Sequence, residues 1–549
     1  MTAVQSVDHA ALAPVYALTA AAVLALVVDL ILGHGKRWAG PVLLGVGALG
    51  PLVALVISLA VGTDRRGTFC TPSGVLPGGV RVGPSCSFVV DSASVAVTVL
   101  GCALALVVLA LSVPVVRSAV VPPGEYVFLL LCSLIGLVVL GSARDLLTLL
   151  IAIETLTLPV YVLVGLVRRA GTEPGDPASA EAAVTFFVTS VVATTLTLLG
   201  IGLLYGVVGA VHLDRVAAAL AGRPDARDLP LVGVAAVLVL AGLLFKLAAV
   251  PFHAWAPATY DGAPLPVAAW LATGSKLGGA VAVVVTVTTA LRPVVDVLGP
   301  VLAVVAVVTM TVGNLVALRQ RRLVRLLAWS AVAQTGYLLA PLAVFVSAEG
   351  RSDADVRDAV AGVAGFTAFY LVVSVGTFAA VVALRGAGAG GTLDDLAGAA
   401  RRAPWATAAF VLGLAGLAGL PPGLAGLFAK VVVVQAALDG SAGWLAVVIG
   451  LNAVVGLAYY ARAGAACFTP APVPVRTPAF AGAPASVDTA GDIEPGEAVV
   501  ADAESAAGRA PGSLVVAVAV GVTAIAGVVL GGWPQWVFEV AESVADALT

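Results

Sequence analysis

The sequence predicts an all-α polytopic membrane protein, and three observations carry that reading. Of its 549 residues 60% are hydrophobic and only 11% charged, against about 25% charged in a soluble globular domain, so the chain cannot cover its surface in water. The apolar residues run unbroken for roughly 20 positions or more, which fits membrane-crossing helices and excludes the alternating strands of an outer-membrane barrel. Two of these runs are interrupted by proline beside a lysine, the mark of broken helices at membrane depth. The composition also excludes several functions. A net charge of −3 without a basic block argues against nucleic-acid binding. Cys70, Cys86, Cys102, Cys132 and Cys467 form no C-x-x-C, and His9, His34, His212 and His253 offer no axial pair. No metal or cofactor site is therefore expected in this chain. The N-terminus lacks the basic region of a cleavable signal, so the first apolar run is expected to remain as a helix.

Fourteen spans follow in order, at about 10–32, 39–62, 91–115, 124–141, 146–167, 182–208, 230–250, 264–290, 294–317, 324–346, 357–384, 404–438, 443–467 and 512–537. The first three form an N-terminal group, residues 1–123. Spans 4 to 8 (124–290) and 9 to 13 (291–469) pair as two inverted five-helix repeats, with helices 7 and 12 broken. Residues 512–549 supply the last span and a tail. Span 12 is too long for one crossing and contains Gly419-Leu420-Pro421-Pro422-Gly423, which cannot continue a regular helix. Span 7 ends in Lys246-Leu-Ala-Ala-Val-Pro251-Phe-His253. Residues 470–511, rich in Pro, Ala, Gly and acidic residues without periodicity, read as a flexible cytoplasmic insertion. Lys36, Arg37, Arg117, Arg168, Arg169, the Arg319–Arg325 group, Arg385, Arg401 and Arg402 gather in the loops of one side. Basic loops stay inside, so both termini are expected on the outer side of the membrane.

Only Lys36, Lys246, Lys276 and Lys430 among the 28 basic residues are lysine. Three of them, with Glu154, lie deep in apolar spans. Each unpaired charge at the bilayer centre costs about 2.5–3.5 kcal/mol, so these groups must pair, hydrate or neutralise. Burial disfavours the charged form and pairing favours it, and the opposition makes a switch. Arginine holds its proton too tightly for that task, which gives the lysines a physical reason. Glu154, Lys246, Lys276 and Lys430 are thus the candidate proton-carrying groups, with static buried ion pairs as the bland alternative. Ser330, Gln334, Tyr337 and His253 are candidate supporting residues, equally able to serve as interhelical hydrogen-bond partners. Cys70 and Cys86 share an outer loop and are the disulfide candidates. Gly45-x-Gly47-x-x-Gly50 lacks a preceding strand and reads as a helix-packing face.

These residues resemble the antiporter-like membrane subunits of respiratory complex I and of multisubunit cation/proton antiporters. The likeness runs from Asp91 to Arg462. It is carried by Asp145 to Leu163 around Glu154-Thr-Leu-Thr-Leu-Pro159, by Phe245-Lys246 through Pro251, His253, Trp255 and Pro257 to Ser275-Lys276, by Gly419-Leu-Pro421-Pro422 with Lys430, and by Asn452 with Tyr459-Tyr460-Ala-Arg462. Ala-Thr-Gly-Ser275-Lys276 resembles the subunit N branch of bacterial NADH:quinone oxidoreductase in particular. Thr185, Gln334 and Asp261 depart from residues common in the family. The resemblance implies that Glu154 and Lys246 form a switchable pair, that Lys276 is the central relay, and that Lys430 exchanges protons through the second half. It implies a proton-translocating subunit in the bacterial cell membrane. The partners implied are a neighbouring antiporter-like subunit, small membrane subunits and lipid. Flavin, iron–sulfur clusters and quinone are implied in partner subunits, with none in this chain. The alternatives are a subunit of a multisubunit cation/proton antiporter driven by ion gradients, and a structural spacer whose charges lock helices together.

Overall fold

The computed structural model describes residues 7–33, 38–167, 177–386, 391–470 and 514–549. The insertion expected at 470–511 lies outside these apart from Pro470, as do Lys36, Arg37, Arg168 and Arg169. The principal helices are α1 (His9–Leu32), α2 (Ala39–Val61), α3 (Ser92–Leu111), α4 (Pro123–Ser142), α5 (Leu146–Gly165), α6 (Pro177–Val208), α7 (Pro230–Lys246), α8 (Trp255–Gly262) and α9 (Leu265–Ala272). They continue as α10 (Gly274–Val285), α11 (Val295–Ala317), α12 (Leu323–Leu339), α13 (Asp353–Arg385), α14 (Pro404–Ala418), α15 (Leu424–Asp439), α16 (Gly443–Ala466), α17 (Leu514–Gly532) and α18 (Gln535–Leu548). Among the described residues, twelve helical stretches are long and apolar enough to cross a membrane. The spans at 230–250 and 404–438 instead appear as interrupted helices, α7 followed by α8 and α14 followed by α15.

The sequence sets the helix boundaries. The Asp145 side chain accepts hydrogen bonds from the Leu147 and Thr148 backbone amides at 2.9 and 2.8 Å and starts α5. Asp91 and Ser94 form a capping box at α3. Proline opens α4, α7 and α14, where a missing N–H costs nothing. Gly33, Gly62 and Gly386 close α1, α2 and α13 with positive φ. Close packing relies on glycine: a Cβ on Gly200 of α6 would lie 2.7 Å from the Ala235 carbonyl oxygen of α7. In the Gly45-x-Gly47-x-x-Gly50 run, Gly47 and Gly50 face Val127 and Ala21, whereas Gly45 faces open space.

Two features differ from the sequence reading. The loop between α2 and α3 holds short antiparallel pairs, Arg66–Thr71 with Ser85–Val90 and Gly74–Val75 with Arg81–Val82. Cys70 stands opposite Cys86 there and the two are joined by a disulfide. Arg215 secures this loop by donating to the carbonyls of Pro72 at 2.5 Å and Gly83 at 3.0 Å. The tail is also helical. α17 stops at Gly532, Pro534 precedes a new start, and α18 lays Val537, Ala541 and Ala545 against the bundle. Asp546 pairs with Arg357 at 2.5 Å, and Ser92 donates to the Ser543 carbonyl at 2.7 Å. Asp8, beside Arg66, and Asp546 therefore lie at the same end of the bundle.

Candidate functional site

Glu154 sits midway along α5 and Lys246 at the last turn of α7. The Lys246 ammonium donates to Glu154 Oε1 at 2.9 Å, to Ser190 Oγ at 2.8 Å and to Thr157 Oγ1 at 3.2 Å. Its three N–H groups thus have three acceptors. Thr194 Oγ1 donates to the same Glu154 oxygen at 2.6 Å. The Tyr161 hydroxyl adds bonds to Thr157 and Ser190. The pair is asymmetric: the lysine side chain is 5% exposed and the glutamate 29%. Glu154 lies on the same face of α5 as the exposed Ile151 and Leu158.

The other two lysines lie at the ends of interrupted helices. A helix end leaves carbonyls without intrahelical partners and carries partial negative charge. At the end of α7, the Ala249 amide takes the Leu244 oxygen at 3.0 Å and the Trp255 indole takes the Phe245 oxygen at 3.1 Å. Lys276 takes the Leu247 oxygen at 2.9 Å. α14 follows the same pattern completely. Leu420 and Gly419 amides cover the carbonyls of Ala415 and Gly416, Gln334 covers Leu417, and Lys430 covers Ala418. Each break therefore supplies a carbonyl acceptor and a negative helix end to one lysine. A third interruption, at Thr273 between α9 and α10, comes one turn before Lys276, and the Tyr370 hydroxyl satisfies the Ala272 carbonyl at 3.0 Å. Lys276 is 2% exposed and also donates to Thr335 Oγ1 at 2.5 Å.

The supporting candidates divide. The Lys430 ammonium lies 5.2 Å from the centre of the Tyr337 ring, a cation–π contact. Ser330 and Gln334 both meet the Tyr460 hydroxyl, at 2.5 and 3.2 Å. His253 stands apart: its ring packs on Trp329 with centroids 5.1 Å apart, and its buried Nδ1 has no hydrogen-bond partner among the described residues. Asp261 pairs with Arg322 at 2.6 Å and, with Thr185 and Glu181, lines a polar crevice of about 390 Å³. Sequence reasoning missed Ser190, Thr194 and Thr335, which complete the hydrogen bonding of the charged groups. It also missed Asn314, which donates to Tyr337 and Asn452 and accepts from Tyr459. No group of three or more metal-ligating side chains occurs among the described residues.

Residues 143–456 match the family model described as NADH:quinone oxidoreductase/Mrp antiporter, transmembrane. The chain is 54% identical to NADH-quinone oxidoreductase subunit N of Salinispora tropica over 479 residues, covering 86% of this chain and 88% of that one. It is 41% identical to NADH-quinone oxidoreductase subunit N 2 of Streptomyces griseus over 545 residues, covering 98% and 94%. Its fold is similar to that of a chain in respiratory complex I from Thermus thermophilus with bound aureothin. There the TM-score is 0.70 and the identity 24%, covering 96% of this chain and 98% of that one. A chain of the Mrp complex from Dietzia sp. gives a TM-score of 0.72 at 22% identity, covering 98% and 96%. The chain belongs to the NADH:quinone oxidoreductase/Mrp antiporter membrane family and, within it, to the subunit N branch of respiratory complex I.

Proposed function

We infer that Glu154, Lys246, Lys276 and Lys430 are the groups through which this complex I subunit moves protons. The observation that carries the assignment is the placement of Lys276 and Lys430 at the carbonyl ends of two interrupted helices, each held by neutral acceptors. A lysine so held can give up its proton without leaving a carboxylate stranded beside it. The Glu154–Lys246 pair supplies the complementary device, in which a bonded pair can open when either group changes charge. Flavin, iron–sulfur clusters and quinone belong in this reading to partner subunits, so electron flow reaches the chain only as a conformational or electrostatic signal. The partners are a neighbouring antiporter-like subunit, small membrane subunits and lipid.

The protein is a multi-pass component of the bacterial cell membrane with both termini on the outer side. The common end of Asp8 and Asp546 supports a common side. Residues 124–290 and 291–469 act as the two repeated halves, each with a proline-interrupted helix whose carbonyl end holds a lysine. The test is NADH-driven proton pumping in inverted membrane vesicles containing Glu154→Gln, Lys246→Met or Lys430→Met. Each variant is expected to assemble and to pump poorly. Wild-type pumping by an assembled variant would remove that residue from the route.

A further inference from the structure

The two interrupted helices are joined by neighbouring side chains of α12. Thr335 Oγ1 donates to the Leu247 carbonyl at 2.6 Å, at the end of α7. Gln334 Nε2 donates to the Leu417 carbonyl at 3.0 Å, at the end of α14. The lysines use the same two ends, since Lys276 bonds Leu247 and Lys430 bonds Ala418, the residue after Leu417. Thr335 and Gln334 are 1% and 4% exposed, so both bonds lie inside the bundle. Thr335 also accepts directly from the Lys276 ammonium at 2.5 Å. Its hydroxyl carries one proton and faces two carbonyls, Leu247 at 2.6 Å and Ala331 of its own helix at 3.2 Å.

We propose that Thr335 is a positioning residue for proton transfer at Lys276 and that, with Gln334, it forms a strut carrying the charge state of Lys276 to the end of α14. The proposal rests on the reading that Lys276 and Lys430 carry protons. With Lys276 charged, the ammonium needs the Thr335 oxygen as an acceptor, so the hydroxyl proton points away, onto the Leu247 carbonyl, the nearer of its two acceptors. With Lys276 neutral, its lone pair faces the hydroxyl and competes for that proton. When the hydroxyl turns to the amine, the Leu247 carbonyl loses a donor and the end of α7 is released from α12. Gln334 sits at the preceding position of the same helix, so movement of α12 at Thr335 acts on the carbonyl beside the one that holds Lys430.

The test uses the assembled complex in inverted vesicles and reads the initial rate of NADH-driven proton pumping. Thr335→Val keeps the shape and removes the hydroxyl, whereas Thr335→Ser keeps the hydroxyl. The valine variant is expected to lose about tenfold in pumping rate, the scale of one hydrogen bond to a charged group, and the serine variant to retain most of it. Gln334→Leu is expected to fall in the same direction, and the double variant to be no worse than Thr335→Val alone, because one strut is broken once. Normal pumping by Thr335→Val, or a serine variant as defective as valine, overturns the proposal, as do additive losses in the double variant. If the valine variant does not assemble, Thr335→Ala is read by the same criteria. Lys276→Met in the same preparation separates the two levels: normal pumping there defeats the assignment of the proton-carrying groups themselves.

Discussion

Removing one member of the Glu154–Lys246 pair should cost more than removing both. The Lys246 side chain is 5% exposed and, among the described residues, Glu154 is the one charged partner in its hydrogen bonds. Glu154→Gln keeps the shape and leaves an ammonium facing two hydroxyls and an amide. Breaking a buried pair from one side costs about 3–5 kcal/mol. Partial exposure of Glu154, at 29%, brings the expectation here to about 2–3 kcal/mol. Lys246→Met leaves a carboxylate that is less buried and still bonded by Thr194 at 2.6 Å, so about 1–2 kcal/mol is expected. The double variant Glu154→Gln with Lys246→Met removes both charges and should return to within about 1 kcal/mol of the parent. The assay is heat resistance of the purified complex, read as the fraction still assembled after a fixed incubation. The expected order is parent, double variant, Lys246→Met, then Glu154→Gln. Pumping should be poor in all three variants, because each lacks a group proposed to carry protons. Strictly additive losses of stability would refute the coupling on which the switchable pair depends.

Other outcomes follow from local geometry. Gly419 has φ of 78°, and a Cβ there would lie 2.6 Å from Lys430 Cδ. Gly419→Ala is expected to cost about 1–2 kcal/mol in backbone conformation alone and to displace the lysine, lowering pumping in complexes that still assemble. Arg462 donates to the Leu318 and Gln320 carbonyls at 2.5 and 2.7 Å and caps the end of α11. Arg462→Ala should lower heat resistance by about 1 kcal/mol, and Arg462→Lys should restore little because it lacks the planar fork. Alkylation of unreduced protein followed by mass spectrometry should label Cys102, Cys132 and Cys467 after denaturation and leave Cys70 and Cys86 unlabelled. Free thiols at both of the latter would contradict the bonded pair.

The charged members of the site were legible because an ionisable residue inside an apolar run has no bland explanation. The breaks were legible because proline cannot continue a helix, and the lysines beside them pointed to their use. The hydroxyl partners were not legible. Thr194 and Thr195 are neighbours on α6, yet Thr194 bonds Glu154 while Thr195 bonds the Val191 carbonyl of its own helix. Most threonines in such helices take the second course, as Thr155 and Thr189 do, so composition cannot separate them. Thr335 was hidden for the same reason, and the carbonyls it serves have no side-chain signature at all. The irregularity at Thr273 lacks a proline and was read through as one helix. The short strands of the loop between α2 and α3, two of them only two residues long, fall below the length at which alternation can be counted. The α18 helix carries both charge and large apolar residues, so it was taken for a tail after a simple crossing.

The central claim is that Lys276 moves a proton and does not merely balance charge. In the structure Lys276 is 2% exposed and its ammonium is held by the Leu247 carbonyl and the Thr335 hydroxyl, with no carboxylate among its hydrogen-bond partners in the described residues. Arginine at this position would keep a positive charge and a donor but could not release its proton. Methionine would keep the apolar stem and lose both. The decisive measurement is NADH-driven proton pumping by the assembled Lys276→Arg and Lys276→Met complexes in inverted vesicles, alongside their electron transfer. The account predicts that both variants pump poorly, with electron transfer falling in step if the two are tightly coupled. Near-normal pumping by Lys276→Arg, with loss only in Lys276→Met, would contradict it and leave the lysine as a fixed charge.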